Sequence, residues 1–302
     1  MKIVVTQKFK LSEESIKKLK AIGEVKFYND LSKTPEEWFE RCKDADIICT
    51  GKFGFKSEKI YELENKFISV PFVGTGFLDL ERLNKKNITV SRSPGCNRIA
   101  VSEWIVGMMF NLLREFPKYI NVTNLSQGDI PSSISGLAGK KVTVLGNGNV
   151  GHRVGKLCQS LDMSVEFFDK GDDLKKSVID ADVTVNTLNL NPTTNNLLNK
   201  DFFESLKRGS FFITVTSSKI YNIEAMIGAL NKNILAGAAD DLAGMQIGDI
   251  HDSLYRRLAE HPKILVTPHI SYKTDNSDVN CSKMMVDNVE DWAKGKPVNI
   301  IE

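Results

Sequence analysis

Cysteine is scarce in this chain and never clustered. Five occur in 302 residues, Cys42, Cys49, Cys96, Cys158 and Cys281, without a C-x-x-C pair. That spacing excludes a zinc knuckle or a dithiol redox motif and gives no metal-ligand set. The five read as reduced, mostly buried thiols of a cytoplasmic protein rather than as disulfides. No apolar run approaches the roughly 20 residues needed to span a bilayer. The N-terminal MKIVVTQKF has no leader-like apolar core with a cleavage site and enters a strand directly. Forty basic against 38 acidic residues leave a net charge of +2, so neither nucleic acid nor a membrane surface is expected as partner. There is no internal repeat or low-complexity stretch. What is present is ordinary for a soluble globular protein: 41% hydrophobic and 26% charged residues, in a length that suits two domains.

The most informative stretch is 141–169, KVTVLGNGNVGHRVGKLCQSLDMSVEFFD. Val142–Leu145 is a short β-branched run typical of a buried parallel strand. Gly146, Gly148 and Gly151 follow as G-x-G-x-x-G, and Val154, Leu157, Cys158 and Leu161 then recur at helical spacing. A second strand-like run, Val165–Phe168, ends in Asp169. Each part suits a dinucleotide. Gly146 permits the tight turn, Gly148 lets backbone approach a pyrophosphate, and Gly151 lets helix and strand pack closely. Asn149 and Val150 open the helix, whose N-terminus offers free N–H groups to the phosphates. Asp169 is placed to accept from both ribose hydroxyls and to repel a 2′-phosphate, which favours NAD over NADP.

Around this unit strands and helices alternate. The expected order to residue 97 is strand Ile3–Thr6, helix Ser12–Ala21, strand Val25–Tyr28, helix Pro35–Asp44 and strand Ile47–Thr50. Helix Glu58–Leu63, strand Phe72–Gly74, helix Asp79–Asn84 and strand Ile88–Ser91 follow. Alternation of this kind implies parallel sheets covered on both faces. Loops at Gly51–Gly54 and Gly74–Gly76 follow strands, where ligands of open parallel sheets bind. Ser93–Asn97 reads as a hinge. A helix over 100–116 is apolar nearly all round between Trp104 and Leu113, which argues for burial on more than one side. A last helix, Asp278–Ala293, must return to pack on another element.

These parts resemble the D-isomer-specific 2-hydroxyacid dehydrogenases, relatives of phosphoglycerate dehydrogenase, glyoxylate reductase and formate dehydrogenase. The resemblance rests on V-G-T-G at Val73–Gly76, Asn97 with Val101-Ser102-Glu103, the glycine triplet with Asp169, and P-T-T-N-N-L-L-N at Pro192–Asn199. It continues through K-R-G-S-F-F-I-T at Lys207–Thr214, G-A-A-D-D at Gly237–Asp241 and T-P-H-I at Thr267–Ile270. It implies an α/β protein of two doubly wound parallel-sheet domains: a Rossmann NAD-binding domain (98–274) inserted into a flavodoxin-like substrate domain (1–97), to which helix 275–302 returns. It also implies a homodimer built on the 100–116 helix, with a small-molecule substrate. Val215, Thr216 and Asp241 would join the cofactor site, and Thr75, Gly76, Lys52 and Arg98 the substrate site.

In the family a histidine moves the proton of the C2 oxygen, a glutamate holds it, and an arginine grips the substrate carboxylate. The histidine falls on His269. The glutamate has become Gln246 and the arginine Ser217. A neutral glutamine favours an imidazolium less than a carboxylate does, which weakens His269 as general acid. Lys219, Lys52 or Arg98 are candidates to replace the arginine charge, without its planar fork. The alternative is a substrate that hydrogen-bonds Ser217. The expected activity is NAD-dependent hydride transfer between nicotinamide and a small 2-hydroxy or 2-oxo acid or related compound. A catalytically impaired NAD(H)-binding sensor is the competing reading. A domain for S-adenosylmethionine fits the full-length pattern less well.

Overall fold

The computed structural model describes residues 1–302 apart from Gly76, Ala243, Gly244, Gln246 and Glu302. The chain divides into two compact units, Met1–Asn97 with Lys273–Glu302, and Arg98–Tyr272.

The first unit runs β1 (Lys2–Val5), α1 (Glu13–Ile22), β2 (Glu24–Phe27), α2 (Pro35–Cys42), β3 (Ile47–Cys49), β4 (Lys66–Ser69), α3 (Leu80–Lys85) and β5 (Ile88–Ser91). Its five strands are all parallel, in the order β2-β1-β3-β4-β5. Side-chain oxygens cap the helices where polar residues precede them: Ser12 accepts from Ser15 N, Thr34 from Glu37 N and Asp79 from Arg82 N. The fourth strand is not where the sequence pointed. Phe72–Gly74 forms no strand, and β4 comes from the preceding stretch Lys66–Ser69. Its Phe67 and Ile68 are buried on opposite faces, whereas Phe72 and Val73 lie beyond the last rung. Lys52–Lys56 and Glu58–Glu62 are 3₁₀ turns.

The second unit opens with α4 (Arg98–Leu113) and a short turn α5 (Phe116–Tyr119). It continues with β6 (Lys141–Leu145), α6 (Asn149–Gln159), β7 (Ser164–Phe168), α7 (Leu174–Val178), β8 (Val183–Asn186), α8 (Lys200–Ser205), β9 (Ser210–Thr214), α9 (Ile223–Asn231), β10 (Leu235–Asp240), α10 (Ser253–Ala259) and β11 (Ile264–Val266). Six parallel strands lie in the order β11-β10-β9-β8-β6-β7. The order reverses between β6 and β8, and at such a switch point the carboxyl ends of the strands leave a crevice for a ligand. One face of the sheet carries Ile105, Met109 and Leu113 of α4 beside Val154 and Cys158 of α6. The other packs Phe202, Phe203, Phe212, Tyr221 and Met226.

The chain then re-enters the first unit as α11 (Asp275–Ala293), capped by Thr274. Met285, Val286 and Val289 of α11 bury against Ile3, Val5, Leu19, Ile47 and Phe67. Trp292 stacks on Phe67 at 4.8 Å. Lys18 of α1 bridges Asp287 at 2.7 Å and Glu290 at 2.8 Å. This return overturns the expectation of five free thiols: Cys96 and Cys281, 185 residues apart, form a disulfide. Spacing along the sequence carries no trace of that pair, because α11 is what brings Cys281 to Cys96. Cys42, Cys49 and Cys158 are buried free thiols, and burial pushes the last two up to about 12. Among the described residues no helix is long and apolar enough to cross a membrane.

Candidate active site

The glycine triplet closes the switch point. Gly146 sits at φ +97°, which an L side chain rarely adopts, and Gly148 is the N-cap of α6. A Cβ on Gly151 would stand 2.0 Å from the Gly146 carbonyl oxygen and 2.8 Å from Thr187 Oγ1, whereas one on Gly148 would meet nothing within 4 Å. The helix is therefore pressed onto the turn at Gly151 and left open at Gly148. Thr187, just past the end of β8, donates its hydroxyl to Leu145 O at 2.9 Å and Gly146 O at 3.0 Å, fixing the turn across the switch point. Asn149 and Val150 form the first turn of α6, Asn149 exposed and Val150 half-buried against the core, and Asp169 is exposed one residue past β7. Its Oδ1 accepts from Lys170 N at 2.7 Å, which leaves Oδ2 open. This open cradle, helix terminus and acceptor fit a dinucleotide.

The edge of the unit that continues the crevice is built from the ends of β9, β10 and β11. Asp240 and Asp241 are both fully buried. The Asp241 carboxylate accepts from Thr267 Oγ1 at 2.5 Å, Ile270 N at 2.9 Å and Ser271 N at 2.8 Å. Its backbone oxygen accepts from His269 N at 2.8 Å. Asp241, expected to join the cofactor site, is thus the post around which the turn Thr267–Ser271 is wound. Held this way, His269 lies in the left-handed region at φ +56°, a conformation uncommon outside glycine and characteristic of functional sites.

The His269 Nδ1 is 3.1 Å from the Met245 carbonyl oxygen. A carbonyl only accepts, so Nδ1 carries a proton there, and Nε2 is the nitrogen left for chemistry. Gln246, expected as the partner of the histidine, lies outside the described residues, as does Gly76. The Met245 carbonyl gives no side-chain signal, so sequence reasoning missed it. Gly248 N donates to Pro268 O at 2.9 Å and ties the same two segments again. Of the other histidines, His251 pairs with Arg256 at 2.7 Å, His261 lies near Asn231, and His152 faces Phe167.

At the end of β9, Thr216 is buried and its hydroxyl accepts from Asn186 Nδ2 at 2.7 Å, with Val215 beside it. Ser217 is half-buried. Its Oγ accepts from Lys219 N at 3.3 Å, a turn-stabilising bond that leaves the hydroxyl proton available. Arg98 is the exposed first residue of α4. In the first unit Thr75 is buried, and its carbonyl accepts from Leu78 N. Lys52 opens a 3₁₀ turn with its ammonium 5.5 Å from the centre of the Phe72 ring. Among the described residues it has no acidic partner. Desolvation by the surrounding protein, together with Lys56, lowers its proton affinity below that of an ordinary lysine. Phe55, Phe72 and Phe77 cluster beside it, with ring centres 6.1–6.2 Å apart. Among the described residues no group of three or more His, Cys, Asp and Glu side chains is placed to hold a metal.

Residues 106–271 match the NAD binding domain of the D-isomer specific 2-hydroxyacid dehydrogenases. The chain belongs to that family. It is 28% identical over 284 residues to a glycerate dehydrogenase of Methylorubrum extorquens, covering 89% of each protein. It is 26% identical over 267 residues to a D-lactate dehydrogenase of Staphylococcus aureus, covering 80% of this chain and 81% of that one. Among solved structures, an acyclic imino acid reductase in complex with NADPH and D-Arg has the same fold, with a TM-score of 0.81 at 19% identity over the full length of both chains. Family members are NAD-dependent oxidoreductases that act on a CH–OH group, and this chain is an enzyme of that type with NAD as its cofactor.

Proposed function

We propose that this dehydrogenase interconverts a small 2-oxo acid and the corresponding D-2-hydroxy acid, with His269 as the proton carrier. The observation that carries this reading is His269 itself: wound onto Asp241 at positive φ, with Nδ1 engaged by the Met245 carbonyl and Nε2 left over. When bound, NAD supplies the two-electron hydride carrier for C2 of the substrate. The turn at Gly146, Gly148 and Gly151 with Asn149 and Val150 would hold its pyrophosphate, and Asp169 its adenosine ribose. Val215 and Thr216 would line the nicotinamide end. In reduction, Nε2–H donates to the C2 oxygen and the ring is left neutral, with its proton on Nδ1. In oxidation, Nε2 takes the hydroxyl proton.

The charge for the substrate carboxylate comes in this reading from Lys52, a cation without an acidic partner among the described residues, with a Ser217 hydrogen bond in place of the arginine fork. Thr75 would add a backbone contact, Gly76 and Gln246 complete the set by family position, and Arg98 is a second candidate cation. A homodimer suits α4, whose Trp104, Met108, Phe110 and Leu112 are only half-buried, and the following segment, where Phe116, Ile120, Val122, Leu125 and Ile130 are exposed. The cytoplasm, which holds the NADH pool, is the proposed location.

The test is NADH oxidation against glyoxylate, pyruvate, hydroxypyruvate, 2-oxoisocaproate and phenylpyruvate. Reduction of at least one of the five is expected. His269→Ala should lower kcat about 10²- to 10⁴-fold with NADH affinity retained. Tight NADH binding with none of the five reduced would sink the reading and leave a cofactor sensor in its place.

A further inference from the structure

The step derived above uses Asp241 and leaves its neighbour Asp240 without a task. Asp240 ends β10 with no exposed surface, on the side of the sheet occupied by Phe212, Ile220, Tyr221, Met226 and Leu242. A carboxyl in such surroundings is costly unless its oxygens are hydrogen-bonded. Both are. The hydroxyl of Tyr221, itself buried, donates to Oδ2 in a short bond, and the backbone N–H of Leu242 donates to Oδ1 at 2.8 Å. The Asp240 carbonyl in turn accepts from Thr267 N at 2.9 Å.

Leu242 stands at φ +45°, a conformation leucine rarely adopts without a bond to hold it. Beyond it the chain reaches Met245, whose carbonyl holds the His269 ring, while Asp241 holds the His269 backbone. Asp240 thus pins both strands of the loop pair that carries the histidine, and Tyr221 pins Asp240 to the core. We propose that Tyr221 and Asp240 form a positioning pair for His269, anchoring Leu242, whose carbonyl accepts from Met245 N at 3.2 Å. This rests on the reading of His269 as proton carrier.

The arrangement is that of the carboxylate, with both oxygens accepting. Burial raises the group from 3.8 to about 7; the bonds from Tyr221 and Leu242 oppose the rise and the charge of Asp241 adds to it. Among the described residues these two, Tyr221 and Asp241, are the ionisable groups that act on it. The residues that end the flanking strands, Thr214 and Val266, carry no ionisable side chain. Protonation would make one oxygen a donor and oblige Tyr221 to rotate its hydroxyl and accept, so the anchor changes near neutral pH.

The test follows the His269 ring in the full-length protein by NMR of ¹³C-labelled histidine, with the signal assigned by its loss in His269→Ala. Asp240→Ala is expected to displace that signal and lower kcat about tenfold, with NADH affinity by fluorescence within twofold. Asp240→Asn, which keeps an acceptor for Leu242 N, should restore kcat to within about threefold and remove the Asp240 inflection from the pH dependence of the His269 signal. Tyr221→Phe, which removes a donor to the anion, should move that inflection to higher pH. Should Asp240→Ala not fold, the other two variants decide. A His269 signal whose pH dependence is indifferent to both would overturn the proposal. If no 2-oxo acid is reduced by the unaltered enzyme, the functional reading falls, and the NMR titrations alone judge the pair.

Discussion

A methyl group added at Gly151 would land 2.0 Å from the Gly146 carbonyl oxygen and 2.8 Å from Thr187 Oγ1. The first of these is a backbone atom, so a side-chain rotation cannot relieve it. Either α6 lifts away from the turn or the turn opens, by about 1 Å. Overpacking of this kind costs about 1–3 kcal/mol; at about 2–4 °C per kcal/mol for a domain of this size, Gly151→Ala should melt about 2–12 °C lower. The same displacement misdirects the first N–H groups of α6, so NADH affinity should fall at least tenfold. Gly148 makes the contrasting case. Its Cβ would meet nothing within 4 Å, and its φ of −83° suits any residue. Serine there is also a favoured N-cap, so Gly148→Ser should change stability by no more than a few tenths of a kcal/mol. Its side chain would nonetheless occupy the space read as the pyrophosphate approach, and NADH should bind about tenfold more weakly or worse. Thermal melts and NADH fluorescence titrations of both variants separate packing from binding. If Gly148→Ser binds NADH within twofold of the unaltered protein, the phosphate does not lie against this turn and the cofactor geometry is wrong.

Asp169→Ser should weaken NADH by roughly 10- to 150-fold, the value of a charge-assisted bond, and raise the NADPH:NADH affinity ratio; an unaltered protein that binds both equally would refute this role. Alkylation of the denatured chain without reductant should label three thiols, Cys42, Cys49 and Cys158, and all five after reduction. Loss of the disulfide in Cys96→Ser should cost roughly 2–5 kcal/mol, visible as a lower denaturant midpoint. Hydrogen bonds from Lys18, then Lys294, hold Glu290 down from 4.5 to about 2. A depressed acid stabilises above its unfolded value and loses that contribution as pH falls, so the α1–α11 clamp should weaken between about pH 4.5 and 2. Glu290→Gln should flatten the melting temperature over that window, and an unchanged slope would count against the clamp.

The parts legible in the sequence are those whose physics is local. The glycine triplet, its strands and Asp169 sit within one stretch, and each residue states its own backbone demand. The helix starts near Ser12, Pro35 and Asp79 are local too, because a cap or a proline acts within two or three residues. What escaped depends on contacts between distant segments. Phe67–Ile68 and Phe72–Val73 are equivalent apolar pairs in the sequence, and pairing with β3 and β5 selects the former. Cys96 and Cys281 meet because α11 folds back. The Met245 carbonyl belongs to the backbone, which every residue has, so no residue type could signal that it would orient His269. Asp240 and Tyr221 look like an ordinary acid and phenol until the fold buries both.

The re-entry of α11 also orders events in time. Arg98–Tyr272 is continuous, so its six strands can pair as soon as they are made. The five-stranded unit has no such freedom. Residues 1–97 lack Met285, Val286 and Val289, which cover one face of their sheet. They must wait while about 190 residues are synthesised, some 10–40 s at about 5–20 residues per second. During that interval Ile3, Val5 and Phe67 face water, and Cys96 is a thiol without its partner. The half of the protein that is made first is therefore finished last, and it is the half that a chaperone would need to shield.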